Sequence, residues 1–518
     1  MLSLDLLLLI GACVLLVAVL AARLGSLLGM PALLIFLLVG MVMGSSGIGV
    51  RFSNAALAHD LGFAALVLIL AEGGLTTQWD HIKPFLGLTG LLATVGVGVS
   101  IVLMDLFGYY VLHLPRSVAL LIGAVTAPTD AAAVFSVLRG LSLPHRVRAA
   151  LEGESGINDA PTVLVVTAFT NYAIGRAAEH GWGGIIGGIM GELVGGLALG
   201  LLAGLAGVWV LRRLALPASG LYPIATLGWA VAAYGLGVQL HLSGFAAVYV
   251  CGVVLGHGHL PHRHATRSFV EGIGWIAQIG LFVMLGLLAD PWRLTWATVG
   301  IGVLAGLFLT LVARPVSVVV SAAWFKVPWR EQAFLSWAGL RGAVPIILAT
   351  VPLSAGIYES DLLFDVVFVF VLVFTAIQAP TLPWAARRLG LIDPLAATDV
   401  DVEAAPLESR HADLLNVTIP AGSRLAGVSV RELFLPRNVV VSLVIRGEDS
   451  FAPDGGTILR AGDELMIVTP AAERARVEAT FIAVGRGGRL VRWKTQERTT
   501  ADAANSPAPR RGWWHRAT

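Results

Sequence analysis

The sequence predicts a polytopic α-helical membrane protein of about 13 transmembrane helices. These are arranged as two inverted six-helix repeats with broken crossing helices and are followed by a small soluble α+β domain. Three observations carry that prediction. Hydrophobic residues make up 56% of the chain and charged residues only 13%, where a soluble domain carries roughly 25% charge. Carboxylates and prolines stand together inside segments otherwise apolar enough to cross a bilayer. After Leu391 the composition turns polar and the pattern shortens to that of strands and turns.

A helix needs about 20 apolar residues to cross the hydrocarbon core. On that scale the chain offers spans at 4–22, 27–47, 60–79, 85–107, 115–137, 149–173, 184–211, 221–240, 242–258, 270–289, 294–318, 331–353 and 362–386. Only His241 and Ser243 separate the eighth from the ninth. Loop charges decide for the split. Alternate loops collect thirteen arginines and lysines, Arg23, Lys83, Arg146, Arg148, Arg263 and Arg267 among them, against Arg51, Arg116, Arg176 and Arg293 on the other side. Basic loops favour the cytoplasm, so the N-terminus is expected outside and the C-terminus inside a bacterial inner membrane. The apolar run 2–20 has neither a basic stretch before it nor a small-residue cleavage site, and reads as the first span. Cys13 and Cys251 lie in apolar segments and imply no disulfide framework and no metal site. The charges form no basic stripe of the kind that binds nucleic acid.

Pairing spans 1–6 with 8–13 leaves the seventh as a connector and reverses the orientation of the second unit. The fifth span breaks at Pro128. Its partner, the twelfth, breaks within Gly339-Leu340-Arg341-Gly342-Ala343-Val344-Pro345. Secondary transporters are built in this way, with the ion site near the midplane at interrupted helices.

Residues 1–390 thus form the membrane domain. The polar stretch 391–415 reads as a linker. Residues 416–484 read as a soluble α+β domain, with strands at 416–420, 439–446 and 465–468 and a short helix at 424–435. The basic tail 485–518 reads as disordered. Gly485-Arg486-Gly487-Gly488 lacks the spacing and the following helix of a nucleotide loop.

The chemistry concentrates in Glu154-Ser155-Gly156-Ile157-Asn158-Asp159 and in Thr126-Ala127-Pro128-Thr129-Asp130. A carboxylate at membrane depth is costly and is kept where it lines an ion path or holds a partner. Burial favours the protonated form of Asp159 and a nearby cation favours the ionised form. One carboxylate can therefore hold a proton or a cation, but not both. Pro128 removes a backbone donor, which leaves carbonyls near Thr126 and Thr129 available to a hard cation. Asp130 either ligates the cation or tunes Asp159, and it also suits a helix N-cap. Glu154 and Arg341, each near the middle of its span, are expected to form a structural ion pair. Glu72, deep in the third span, faces either the ion path or a helix interface. His257, His262 and His264 read as a solvated loop.

Gly153-Glu154-Ser155 followed by Asn158-Asp159 resembles the signature of the monovalent cation:proton antiporters of the NhaP and sodium/proton-exchanger type. Thr129-Asp130 and Gly339-Leu340-Arg341-Gly342 are similar to two further motifs of that family, and the resemblance covers about residues 1–390. It implies a homodimer with a dimerisation bundle and a six-helix core. It implies an alkali cation held by Asp159, Asp130, Ser155 and a Thr129 carbonyl, and a Glu154–Arg341 pair. The single aspartate of Asn158-Asp159 looks like the electroneutral branch. The position of Glu72 resembles that of a glutamate near the ion site in some members. Residues 416–484 resemble the TrkA-C (RCK C-terminal) regulatory domain through Ile419-Pro420-Ala421-Gly422-Ser423 and Leu459-Arg460-Ala461-Gly462-Asp463-Glu464-Leu465. Such domains dimerise and gate potassium transporters, often through a small ligand. No full Rossmann half precedes this one, so no NAD and no other cofactor is expected.

These readings converge on an antiporter, not an enzyme. It would exchange a monovalent cation, potassium ahead of sodium, for protons by alternating access. The alternative is a ligand-gated potassium channel, which would need a carbonyl filter such as Thr-Val-Gly-Tyr-Gly; the sequence has none.

Overall fold

The computed structural model describes residues 4–487 apart from 29–30, 45–46, 48, 51, 53, 78, 131–142, 177–180, 259, 393–400, 408–411, 421, 437, 448 and 471–472. The second half of the fifth span, the start of the polar stretch after Leu391 and the basic tail from 488 lie outside the described residues. The chain divides into two units, Met1–Ile392 and Asp393–Thr518.

In the first unit helix falls within each of the thirteen expected spans. Seven helices among the described residues are long and apolar enough to cross a membrane, from Ala55–Thr76 to Ser360–Arg388. The eighth and ninth spans are separate helices. Leu221–Gln239 ends at a turn where His241 takes left-handed backbone (φ 55°). Ser243 then caps Gly244–His257, its side chain accepting from the Ala246 amide. Large apolar side chains such as Leu16, Leu202 and Trp209 are exposed, where lipid would cover them.

Three pairs of features relate the halves. Gly40 in helix Ala32–Met43 lies against Gly286 in Arg263–Leu288, so closely that a side chain on either would strike the other helix's backbone. Gly74 in Ala55–Thr76 and Gly252 in Gly244–His257 meet in the same reciprocal way. Spans 2 and 10 are therefore joined as spans 9 and 3 are, which is what an inverted repeat requires. The second pair is a π-turn at Leu92–Gly96 in span 4, matched at Leu309–Ala313 in span 11. Such turns insert one residue into a helix and are common at functional sites. The third pair is the broken helices themselves.

The second unit is a five-stranded antiparallel sheet in the order β1-β2-β5-β3-β4. Its strands are β1 (Asp401–Leu407), β2 (Ala412–Thr418), β3 (Val440–Arg446), β4 (Asp449–Phe451) and β5 (Glu464–Pro470). Helix Arg474–Gly487 contributes Val477 and Phe481 to a core with Leu415, Val417, Leu459, Leu465 and Ile467. Three expectations are corrected here. The stretch read as linker supplies β1, because its residues pair along the whole of β2. The helix expected at 424–435 is turns and one short 3-10 turn, Val430–Leu433. Gly427 (φ 91°) stops any helix before it, Ser429 and Glu432 form a capping box, and Phe434 (φ 48°) ends the turn. Residues 485–487, assigned to the tail, close the last helix.

Candidate functional site at the crossed helix breaks

Helix Arg116–Thr126 stops just before Pro128, with Ala127 still in helical backbone (φ −69°, ψ −40°); Pro128 cannot donate an amide, so no helix continues through it. Helix Trp329–Trp337 stops before Gly339, and Ala343–Ser354 resumes with Pro345 in its first turn, where the missing amide costs nothing. The two irregular stretches meet. The Asp130 amide donates to the Leu340 carbonyl at 2.8 Å. Arg341 donates to the carbonyls of Thr126 (3.3 Å), Ala127 (3.5 Å) and Gly339. Thr375 donates to the Arg341 carbonyl at 2.7 Å. Irregular backbone at membrane depth is tolerated only with such partners. Arg341 also places a positive charge at a helix C-terminus, where the dipole favours it.

Helix His145–Ala173 runs past both breaks. Pro161 denies an amide to the Ile157 carbonyl and loosens the turn that carries Asn158 and Asp159. Ser155 Oγ donates to the Thr129 carbonyl at 2.6 Å, and Asn158 Nδ2 donates to Thr129 Oγ1 at 2.9 Å. Thr129 Oγ1 in turn reaches Glu154 Oε1 at 3.4 Å. Asp159 is buried, and its Oδ1 has no hydrogen-bond partner among the described residues. Unpaired buried oxygens are rare and costly.

A cavity of about 560 Å³ opens onto this point. Asp159, Asp130, Ser155 and Glu72 all line it, together with Tyr249, Gln278 and the charged residues Arg148, Glu152, Arg267 and Glu271. Thr129, Asn158, Glu154 and Arg341 are not among its lining residues. Gly342 lies so close to the Asp130 carboxylate that a side chain there would collide with it.

The expected Glu154–Arg341 pair is not formed. Glu154, 1% exposed, accepts two hydrogen bonds from Arg314, at 2.5 and 2.8 Å, besides the longer one from Thr129. Arg341 is committed to the freed carbonyls of the breaks. Both guanidinium groups lie against Gly339, where a side chain would displace them. Sequence reasoning missed Arg314, although an Arg-Pro pair inside the apolar span 294–318 was there to be read. It also missed Tyr249, whose apolar neighbours gave no sign of a cavity.

Crossed, interrupted helices bearing carboxylates in an inverted repeat define a secondary transporter. The transmembrane sodium/hydrogen exchanger family matches residues 12–388, and the TrkA-C domain matches 414–482. The chain is 34% identical over 482 residues to a protein named K(+)/H(+) antiporter NhaP2 from Shewanella baltica, covering 89% of this chain and 80% of that one. It is 32% identical to K(+)/H(+) antiporter NhaP from Alkalimonas amylolytica, covering 91% and 82%. It is 27% identical to Na(+)/H(+) antiporter NhaH from Halobacillus dabanensis, covering 73% and 96%. The solved sodium proton antiporter MjNhaP1 from Methanocaldococcus jannaschii superposes with a TM-score of 0.63 at 21% identity, covering 73% of this chain and all of that one. The chain therefore belongs to the sodium/hydrogen exchanger family. It is a multi-pass cation:proton antiporter carrying a TrkA-C domain, and not an enzyme.

Proposed function

We propose that the protein exchanges potassium, in preference to sodium, for protons at one electroneutral site. Asp159 is the carboxylate that carries either proton or cation. Asp130, Ser155 Oγ and the Thr129 carbonyl complete an all-oxygen shell of the kind hard cations take. Asn158 holds Thr129 in place, and Glu72 lies further along the same path. The observation that carries this reading is the Asp159 oxygen left unpartnered at the end of a cavity that Asp130 and Ser155 also line. A single aspartate at 159, with Asn158 beside it, supports a one-for-one exchange. The potassium/proton relatives and the TrkA-C domain support potassium.

The cavity contains Arg148 and Arg267, which the loop charges assign to the cytoplasmic side, so this is the inward-open arm of an alternating-access cycle. The protein acts as a homodimer in the bacterial inner membrane, N-terminus outside and C-terminus inside. The C-terminal domain sets the exchange rate, in answer to a small ligand. Proton efflux from proteoliposomes on adding potassium, then sodium, with and without a clamped potential, tests the proposal. A potassium response that ignores voltage is expected. A voltage-driven flux without proton exchange would contradict it.

A further inference from the structure

Tyr249 stands at the cavity wall opposite the helix that carries the site. It sits on helix Gly244–His257, whose backbone is pressed against Ala55–Thr76. A side chain on Gly74 would meet the Tyr249 carbonyl at 2.6 Å and Gly252 Cα at 3.1 Å, and Gly256 lies against Leu75. No side chain separates the two helices there, so the ring starts from a fixed base. Its other end rests on Gly156. A Cβ at 156 would overlap the tyrosine hydroxyl, Cζ and Cε2. Gly156 is one residue from Ser155 and three from Asp159, which puts it on the helix face that carries Asp159. Ser155, Gly156, Asp159 and Tyr249 all line the cavity.

The glycine thus admits a neutral phenol oxygen to the ion path beside the cation shell. Extending the proposed function, we infer that Tyr249 is a specificity-determining residue. Its hydroxyl is a further oxygen presented to the cation, at a position set by the Gly74–Gly252 contact on one side, the missing side chain of Gly156 on the other and a hydrogen bond with Thr77. A ligand held at a fixed distance favours one ionic radius over another, whereas a ligand on a flexible stem would adapt to either.

The experiment compares the full chain with Tyr249→Phe, Tyr249→Leu and Gly156→Ala in proteoliposomes, reading the ratio of apparent KM for sodium to that for potassium. The ratio is insensitive to the fraction of active protein, and thermal unfolding in detergent checks that each variant folds. Tyr249→Phe keeps the ring and removes only the oxygen. Gly156→Ala pushes the ring's free end aside and keeps the oxygen. The preferred cation should lose more in every variant, moving the ratio towards unity by about fivefold, or about 1 kcal/mol. Folded variants that lose rate but keep the wild-type ratio would make Tyr249 mere packing and overturn the inference alone. A wild-type chain that exchanges neither cation would instead contradict the proposed function, and this inference with it.

Discussion

Arg314 holds Glu154 with both terminal nitrogens, at 2.5 and 2.8 Å, in a pair that is 3% and 1% exposed. Arg314 follows the π-turn at Leu309–Ala313 directly. Glu154 adjoins Ser155, and Thr129 Oγ1 reaches the same carboxylate, so the pair anchors both sides of the site. Removing Arg314 would leave a buried carboxylate without its ion-pair partner, at a cost of about 3–5 kcal/mol. Arg314→Ala is expected to unfold in detergent well below the wild type. A double-mutant cycle should give Glu154 a coupling to Arg314 clearly larger than its coupling to Arg341. The reverse order would restore the pairing expected from sequence.

Gly342 is required for clearance. Its backbone is not left-handed (φ −104°), and the Asp130 carboxylate fills the space where a side chain would lie. Gly342→Ala should displace Asp130 and lower exchange by about 100-fold, the size of effect seen when a working group moves by about 1 Å. Expression and thermal stability should fall much less. Proton/cation exchange in proteoliposomes checks it.

The glycine crossings hold the scaffold. Gly40→Ala and Gly74→Ala each place a methyl against the facing helix's backbone, which cannot swing aside as a side chain could. Overpacking of this kind costs about 1–3 kcal/mol. Each variant should lower the unfolding temperature in detergent, and the double variant should lose about the sum, because the two crossings are separate contacts.

In the C-terminal unit Asp463 accepts two hydrogen bonds from Arg446, both at 2.8 Å, and one from the Arg460 amide. Burial, the largest single influence, works to raise its pKa. The Arg446 hydrogen bonds, the Arg460 amide and their charges together outweigh it and hold Asp463 below the usual carboxylate range. The folded state therefore binds this proton less readily than the unfolded state. The stabilisation is complete above about pH 4, the unfolded value. It is lost as pH falls through the lower folded value. Arg446→Ala, which strands a fully buried carboxylate, should destabilise the unit more than Asp463→Asn. Hydrogen exchange of β3 and β5 in the full chain measures both, and equal losses would contradict the asymmetry.

Much of this was legible in the chain. The spans, the turn at His241 and Ser243 and both breaks follow from hydrophobic length and from Pro128, Gly339 and Gly342. These are local signals. What the sequence could not supply was partner choice among distant charges. Glu154 lies 160 residues from Arg314 and 187 from Arg341, and nothing along the chain ranks the two. In the fold Arg341 is claimed by the carbonyls of the breaks, which exist only once the interrupted helices cross. The same holds for Tyr249, which matters only because Gly156 lies opposite it. Strand β1 escaped notice because its alternation is weak and its pairing with β2 is what defines it.

The most direct test of the central claim is Asp159→Asn in the full chain, reconstituted and assayed for potassium-driven proton efflux across the pH range. Asparagine is nearly isosteric but carries neither proton nor charge, so the account predicts a protein that folds, reconstitutes and exchanges nothing at any pH. Exchange at the wild-type rate would contradict it, because the proton and the cation would then share some other group.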